Sequence, residues 1–272
     1  MASCIERWSR EVERVGQAVQ FAGTALDRLA KTRHMRVSRN RDFGSRMYLV
    51  IFDCDGTLID SQDTIFHGLS VGYEAVGLPM PDRRTALSIV GLSLETAFLQ
   101  LVGAENTHLV PEMATAYRNS KISRRKLGLD LDPLYPGTRE VLDRLGARDD
   151  VLLGVATGKA RRGVDHMVDV HDLDGRFVTV QTADTSPSKP HPDMVLRAMS
   201  ETGADPLRTA MIGDTSFDME MARAAGAHAV GVTWGYHDRD RLAAGGAHVT
   251  IDHFNELYDA LDARLAFDRE PA

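Results

Sequence analysis

The sequence predicts an α/β fold: a doubly wound parallel sheet with a helical insertion directly after its first strand. Three observations carry this. Short apolar runs without alternation recur along the chain, as expected of strands buried on both faces of a parallel sheet. Helix-length stretches separate the later runs. Residues 61–134 interrupt that alternation with apolar segments at helical spacing.

Taken in order, residues 1–46 read as an appendage. Ile5, Trp8, Val12, Val15, Val19, Ala22, Leu26 and Leu29 recur at spacings of three and four, a helical stripe close to a heptad seam. A basic linker follows, with Arg33, Arg36, Arg39, Arg41 and Arg46. The stripe is compatible with packing on the main domain, with disorder, or with a dimerising helix that would make a homodimer. Met47, just before the first strand, is an alternative start of translation.

The first strand is Tyr48–Phe52, and it stops abruptly at Asp53-Cys54-Asp55-Gly56-Thr57. The insertion comes next, with helices expected at 62–76, 82–89, 93–102 and 110–127 and stops at Gly77, Gly103 and Gly128. Its position after the first strand places it over the sheet edge, where a lid would lie. Pro136-Gly137 marks the return to the main domain. Strands are then expected at 151–156, ending in Thr157-Gly158-Lys159; at 209–212, ending in Gly213-Asp214; at 229–232; and at 249–251. Helices are expected at 137–147, 192–202 and 216–225, with Gly203 and Gly226 as C-cap glycines. The domain organisation is therefore an extension over 1–46, a core over 47–60 and 135–272, and a helical cap over 61–134.

Composition narrows the function. The net charge of -7 argues against nucleic acid or an anionic membrane as the main partner. No apolar run approaches a membrane span, and charged residues interrupt the N-terminus where a signal-peptide core would lie. Two cysteines, Cys4 and Cys54, supply neither a disulfide framework nor a cysteine zinc site. A cytoplasmic protein is the expectation.

Three strands deliver Asp53, Thr157 and Asp214 to one edge of the sheet, where open α/β sheets bind ligands. Phosphate-ester hydrolysis needs a positioned nucleophile, a cation and an acid for the leaving group. Asp53 and Asp55 straddle one residue, and two ionised carboxylates so close repel unless a cation shields them. Mg2+ takes oxygen ligands of this kind. One carboxylate can then attack phosphorus while the other moves protons. Gly56 lets the chain turn away. The plain alternative for Asp-x-Asp-Gly-Thr is a strand-ending turn. For Thr157 it is a helix N-cap, for Lys189 a solvated loop lysine, and for Asp218 a capping box with Thr215. Cys54 reads as a packing residue, because its carboxylate neighbours disfavour the thiolate.

These motifs, IFDCDGTLIDS, VATGK, SKPHPD and MIGDTSFDME in that order, resemble the haloacid dehalogenase-like superfamily, in its phosphoglycolate-phosphatase-like branch. The resemblance covers residues 47 to about 252 and leaves residues 1–46 outside. It implies a Rossmann-like core with a closing cap, and Mg2+ as cofactor. It implies Asp53 as nucleophile and Asp55 as general acid/base, with Thr57 beside them. Thr157, Gly158 and Lys189 would hold the phosphoryl group. The metal would be held by Asp53, the backbone carbonyl of Asp55, and Asp214, with Asp218 as a supporting partner or further ligand. The partner would be a small phosphorylated metabolite such as phosphoglycolate. For the carboxylate of such a substrate the cap offers His67, Arg83, Arg84, Arg118, Lys121, Arg124 and Arg125, most of them expected to face water. The dehalogenase and phosphonatase branches lack an acid at the position of Asp55. A β-phosphoglucomutase-like mutase keeps both aspartates and stays open as an alternative. A receiver-like signalling module is shorter and has no helical insert after its first acidic loop.

Overall fold

The computed structural model describes residues 47–267, so the expectations for residues 1–46 fall outside the described residues. Six strands form one sheet: β1 (Tyr48–Phe52), β2 (Val151–Thr157), β3 (Thr179–Thr182), β4 (Thr209–Gly213), β5 (His228–Val232) and β6 (Val249–Ile251). Their order is β3-β2-β1-β4-β5-β6 and every pairing is parallel. The chain runs outward from β1 to β3, then crosses back to β4 on the other side of β1. That reversal puts the topological switch point between β1 and β4, where a crevice opens at the strand ends.

Four helices follow β1: α1 (Gln62–Ala75), α2 (Arg83–Leu87), α3 (Leu94–Val102) and α4 (Val110–Lys126). They share an apolar cluster of their own, built on Ile65, Leu69, Tyr73, Phe98 and Met113. Six more α-helices follow among the described residues: α5 (Thr138–Gly146), α6 (Arg161–Val170), α7 (Asp193–Thr202), α8 (Ser216–Ala224), α9 (Arg239–Ala244) and α10 (Leu257–Leu265). No described helix is long and apolar enough to cross a membrane.

The lack of alternation in β1 has a direct cause. Tyr48, Val50 and Phe52 join a cluster with Leu142 and Leu145 of α5 and Leu257 and Leu261 of α10. Leu49 and Ile51 join a second cluster with Met194 and Val195 of α7 and Met219 and Ala222 of α8. Successive side chains point to opposite faces, and both faces are covered. Truncating a fully buried member such as Leu49 to Ala should cost about 2–5 kcal/mol.

The helices expected in the insertion are present, each ending within two residues of its expected bound. Four later elements, β3, α6, α9 and α10, escaped sequence reasoning. β3 reads Thr-Val-Gln-Thr, with no apolar run, yet its polar residues are buried; Thr179 bonds Glu201 and Gln181 bonds Thr179. In α6 an interior glycine and two leading arginines mask a stripe of only Val164 and Met167. In α10 the signal was present, with Leu257, Leu261 and Leu265 at steps of four.

Candidate active site

Asp53 follows the last residue of β1 and is wholly buried. Its backbone N–H donates to Ile212 of β4, so the chain is still held at the switch point. The Cys54 N–H donates to Asp53 Oδ1 at 2.6 Å, which fixes the carboxylate's orientation. Lys189 Nζ lies 2.8 Å from Asp53 Oδ2 but directs its hydrogen bond to Asp218 Oδ1 at 2.6 Å. Asp53 Oδ2 therefore has an ion pair and no aligned hydrogen-bond partner.

Asp214 leaves β4 beside it. Thr57 Oγ1 donates to one of its oxygens at 2.9 Å and the Tyr236 N–H to the other at 2.8 Å. Asp218 opens α8 and forms a reciprocal capping box with Thr215. The helix-start reading of Asp218 and its place in the site are thus both present: one oxygen caps the helix and the other meets Lys189. Asp53, Asp214 and Asp218 each offer a carboxylate oxygen within 4.8 Å of the others, and all three are buried. Three buried carboxylates face one ammonium. Burial raises the Asp53 carboxyl to about 6, with Lys189 pulling it down and Asp218 pushing it up. Burial, then Asp218 and Asp53, push Asp214 well above the usual carboxylate range. A buried site with three carboxylates and one lysine fits a divalent cation with oxygen ligands.

Asp55 turns the other way. Lys159 Nζ donates to its Oδ1 at 2.6 Å, and both side chains are nearly buried. Burial works to raise this carboxyl, but the Lys159 charge and hydrogen bond outweigh it and hold Asp55 below its ordinary value. Its carboxylate is not part of the three-acid cluster. Between the two acids, burial and the carboxylates on either side push the Cys54 thiol up, so it stays neutral. Gly56 adopts φ +83, and a Cβ there would stand 2.3 Å from Asp214 Oδ2. Only glycine both takes that conformation without strain and leaves room for the carboxylate.

Thr157 ends β2, fully buried, with its hydroxyl helping to hold the charged form of Asp53. Gly158 touches the insertion: a Cβ there would lie 2.5 Å from the carbonyl oxygens of Gly91 and Leu92. The loop between α2 and α3 is bound to the core at two further points. The Ser93 N–H donates to Ser188 Oγ at 2.9 Å, and His237 Nε2 lies 3.0 Å from the Ser88 carbonyl. Asp53, Asp55, Thr157, Gly158 and Lys159 share a cleft of about 190 Å³ with apolar residues of the insertion, among them Ile65, Leu69 and Leu92. Arg118, Lys121 and Arg125, all on α4, line that cleft; His67, Arg83, Arg84 and Arg124 do not.

The structure thus brings Asp53, Thr57, Lys189, Asp214 and Asp218 into one cluster, with Asp55, Thr157 and Gly158 beside it. Sequence reasoning gave no role to Lys159, Tyr236 or His237. The first stands directly after Thr157-Gly158, which was a usable signal. The other two reach the site from the loop after β5, and nothing local foretells that approach.

Comparison with known proteins agrees with this geometry. Residues 50–232 match the family of haloacid dehalogenase-like hydrolases. A protein of Dickeya dadantii (strain 3937) named "Probable phosphatase IndB" is 37% identical over 226 residues, covering 82% of this chain and 97% of its own. A phosphoglycolate phosphatase of Chromobacterium violaceum is 31% identical over 215 residues, covering 78% and 95%. The solved structure of a haloacid dehalogenase-like family hydrolase from Streptococcus pneumoniae superposes with a TM-score of 0.69 at 24% identity, over 79% of this chain and 98% of that one. The chain belongs to the haloacid dehalogenase-like hydrolases, and it is a phosphoric monoester hydrolase.

Proposed function

We propose that this protein is a Mg2+-dependent phosphatase that hydrolyses a small, phosphoglycolate-like phosphate monoester through an aspartyl-phosphate on Asp53. The observation that carries the reading is Asp53 itself: buried at the switch point, oriented by the Cys54 N–H at Oδ1 and ion-paired with Lys189 at Oδ2. Asp53 attacks phosphorus while Lys189 offsets the charge of nucleophile and phosphoryl group. The Thr157 hydroxyl and the backbone N–H groups at Gly158 orient the phosphoryl oxygens. Mg2+, held by Asp53, Asp214 and the Asp55 carbonyl with Asp218 alongside, would supply charge neutralisation at the transferring group. Asp55 gives a proton to the leaving alcohol and later takes one from water. Lys159 holds Asp55 below its ordinary value at rest, so Asp55 takes up a proton before it acts as the acid.

Residues 61–134 act as the cap and residues 47–60 and 135–272 as the core that carries the chemistry, a division supported by the separate apolar cluster of the cap helices. Arg118, Lys121 and Arg125 on the cap wall suit a carboxylate on the substrate. The protein acts on a soluble metabolite in the cytoplasm and needs no nucleic acid or membrane partner. The test is phosphate release from phosphoglycolate, a sugar phosphate and a nucleotide, each with Mg2+ and with chelator. Release that requires Mg2+ and prefers phosphoglycolate is expected. Comparable turnover of phosphoglycolate and unrelated sugar phosphates would remove the substrate assignment. Absence of release from every compound would favour the mutase alternative.

A further inference from the structure

Lys159 stands out among the residues that the reaction above leaves unused. Its ammonium donates to Asp55 Oδ1 at 2.6 Å, with the two side chains 14% and 11% exposed. Its backbone N–H donates to Thr157 Oγ1 at 3.3 Å, so the same turn that presents Thr157 also starts this side chain. The stem then crosses α6 at Gly163. A Cβ on Gly163 would stand 2.8 Å from Lys159 Cγ and 3.2 Å from both Cδ and Cε. Gly163 lies inside a helix, where glycine costs about 1 kcal/mol relative to alanine. The bare backbone there is the channel that fixes the path of the lysine stem. A flexible four-carbon chain is thereby aimed at one oxygen of one carboxylate.

We propose that Lys159, laid over Gly163, is a positioning residue for Asp55 in the second half of the reaction, the hydrolysis of the aspartyl-phosphate. By holding Oδ1, the ammonium fixes the orientation of the Asp55 carboxyl group on the wall of the cleft. In that half-reaction a water oxygen bonds to phosphorus and its proton passes to Asp55. The bond from phosphorus to Asp53 breaks, its electron pair returns to the Asp53 carboxylate, and inorganic phosphate departs. Without Lys159 the Asp55 carboxylate loses its aim and this step slows. With a leaving group that departs without a proton from Asp55, such as p-nitrophenolate, formation of the aspartyl-phosphate depends on Asp53, Lys189 and Thr157 and is largely spared. The inference rests on the aspartyl-phosphate reading given above.

The experiment is rapid-mixing kinetics with p-nitrophenyl phosphate and Mg2+ on wild type, Lys159→Met, Lys159→Arg and Gly163→Ala. For Lys159→Met we expect kcat to fall about 100-fold, the order of a misplaced proton acceptor. KM should fall with it, and nitrophenol should appear in a burst of about one equivalent per site. Lys159→Arg keeps the charge and should recover part of kcat. Gly163→Ala leaves the lysine in place and improves the helix, yet should lower kcat and show a smaller burst, because the new Cβ displaces the stem. A raised KM without a burst would place Lys159 on the substrate and overturn the inference. A loss of thermal stability with unchanged kcat and no burst would overturn it too, by making the pair merely structural. Should wild type turn over with no phosphoenzyme trapped from any of the four proteins, the aspartyl-phosphate reading itself would be wrong; phosphoenzyme in wild type with burst-free Lys159→Met would sink the positioning role alone.

Discussion

Two lysine–aspartate pairs lie two residues apart at the end of β1, and they behave in opposite ways. In the inner pair, Asp53 and Lys189 are both fully enclosed, and Asp218 shares the lysine. Burial dominates, and the Asp53 carboxyl rises to about 6. In the outer pair, Asp55 and Lys159 lie at the cleft, and among the described residues no other carboxylate competes within bonding distance for that ammonium. There the lysine outweighs burial and Asp55 is lowered. The same two residue types thus yield one acid raised by burial among other carboxylates and one lowered by its single neighbouring cation. Environments that push two titratable groups apart separate their roles.

The comparison can be broken most severely at the inner acid. Asp53→Asn should reduce turnover by at least about 1,000-fold in a phosphate-release assay, with far-UV circular dichroism unchanged, since a lost nucleophile has no substitute. Asp214→Asn removes a carboxylate from the three-acid cluster and should weaken Mg2+ activation by about 100-fold in a Mg2+ titration. Near-normal Mg2+ dependence would show that the cluster does not hold the metal.

The raised inner acids also set a pH dependence. Metal must displace protons from Asp53 and Asp214, so affinity falls as pH drops through about 6, where Asp53 takes up its proton. Thermal-shift titrations at pH 7.5 and pH 5 should give an apparent Mg2+ affinity about tenfold weaker or more at the lower pH. The sign follows from the competition: protons and metal want the same oxygens. A smaller effect should come from Thr57→Val, which keeps shape but removes the hydrogen bond to Asp214 Oδ1. Leaving that buried acceptor half-satisfied costs about 1–3 kcal/mol, so about tenfold weaker Mg2+ activation is expected.

Much of the inner cluster was legible in the sequence, because Asp53 and Asp214 stand at strand ends and Lys189 in a proline-flanked loop. Asp53 ends the apolar run of β1, Asp214 that of β4, and Lys189 is flanked by a following proline at Pro190. Asp218 could be read as a helix cap, and the structure shows it also bonding Lys189; spacing alone carries no information on the second role. The outer pair was only half legible. Asp55 was visible in its motif, but its partner depends on a stem crossing a helix that the sequence did not announce. β3 was hidden for a related reason. Its buried Thr179 donates to Glu201, distant in sequence, and no local pattern records such pairing.

The central claim is that Asp53 carries the phosphoryl group. Acid quenching of the protein during turnover with substrate and Mg2+, followed by peptide mass spectrometry, tests it most directly. The account predicts phosphate on the peptide containing Asp53, present only with substrate and absent in Asp53→Asn. Steady turnover with no phosphate on that peptide, or with phosphate on another residue, would contradict it.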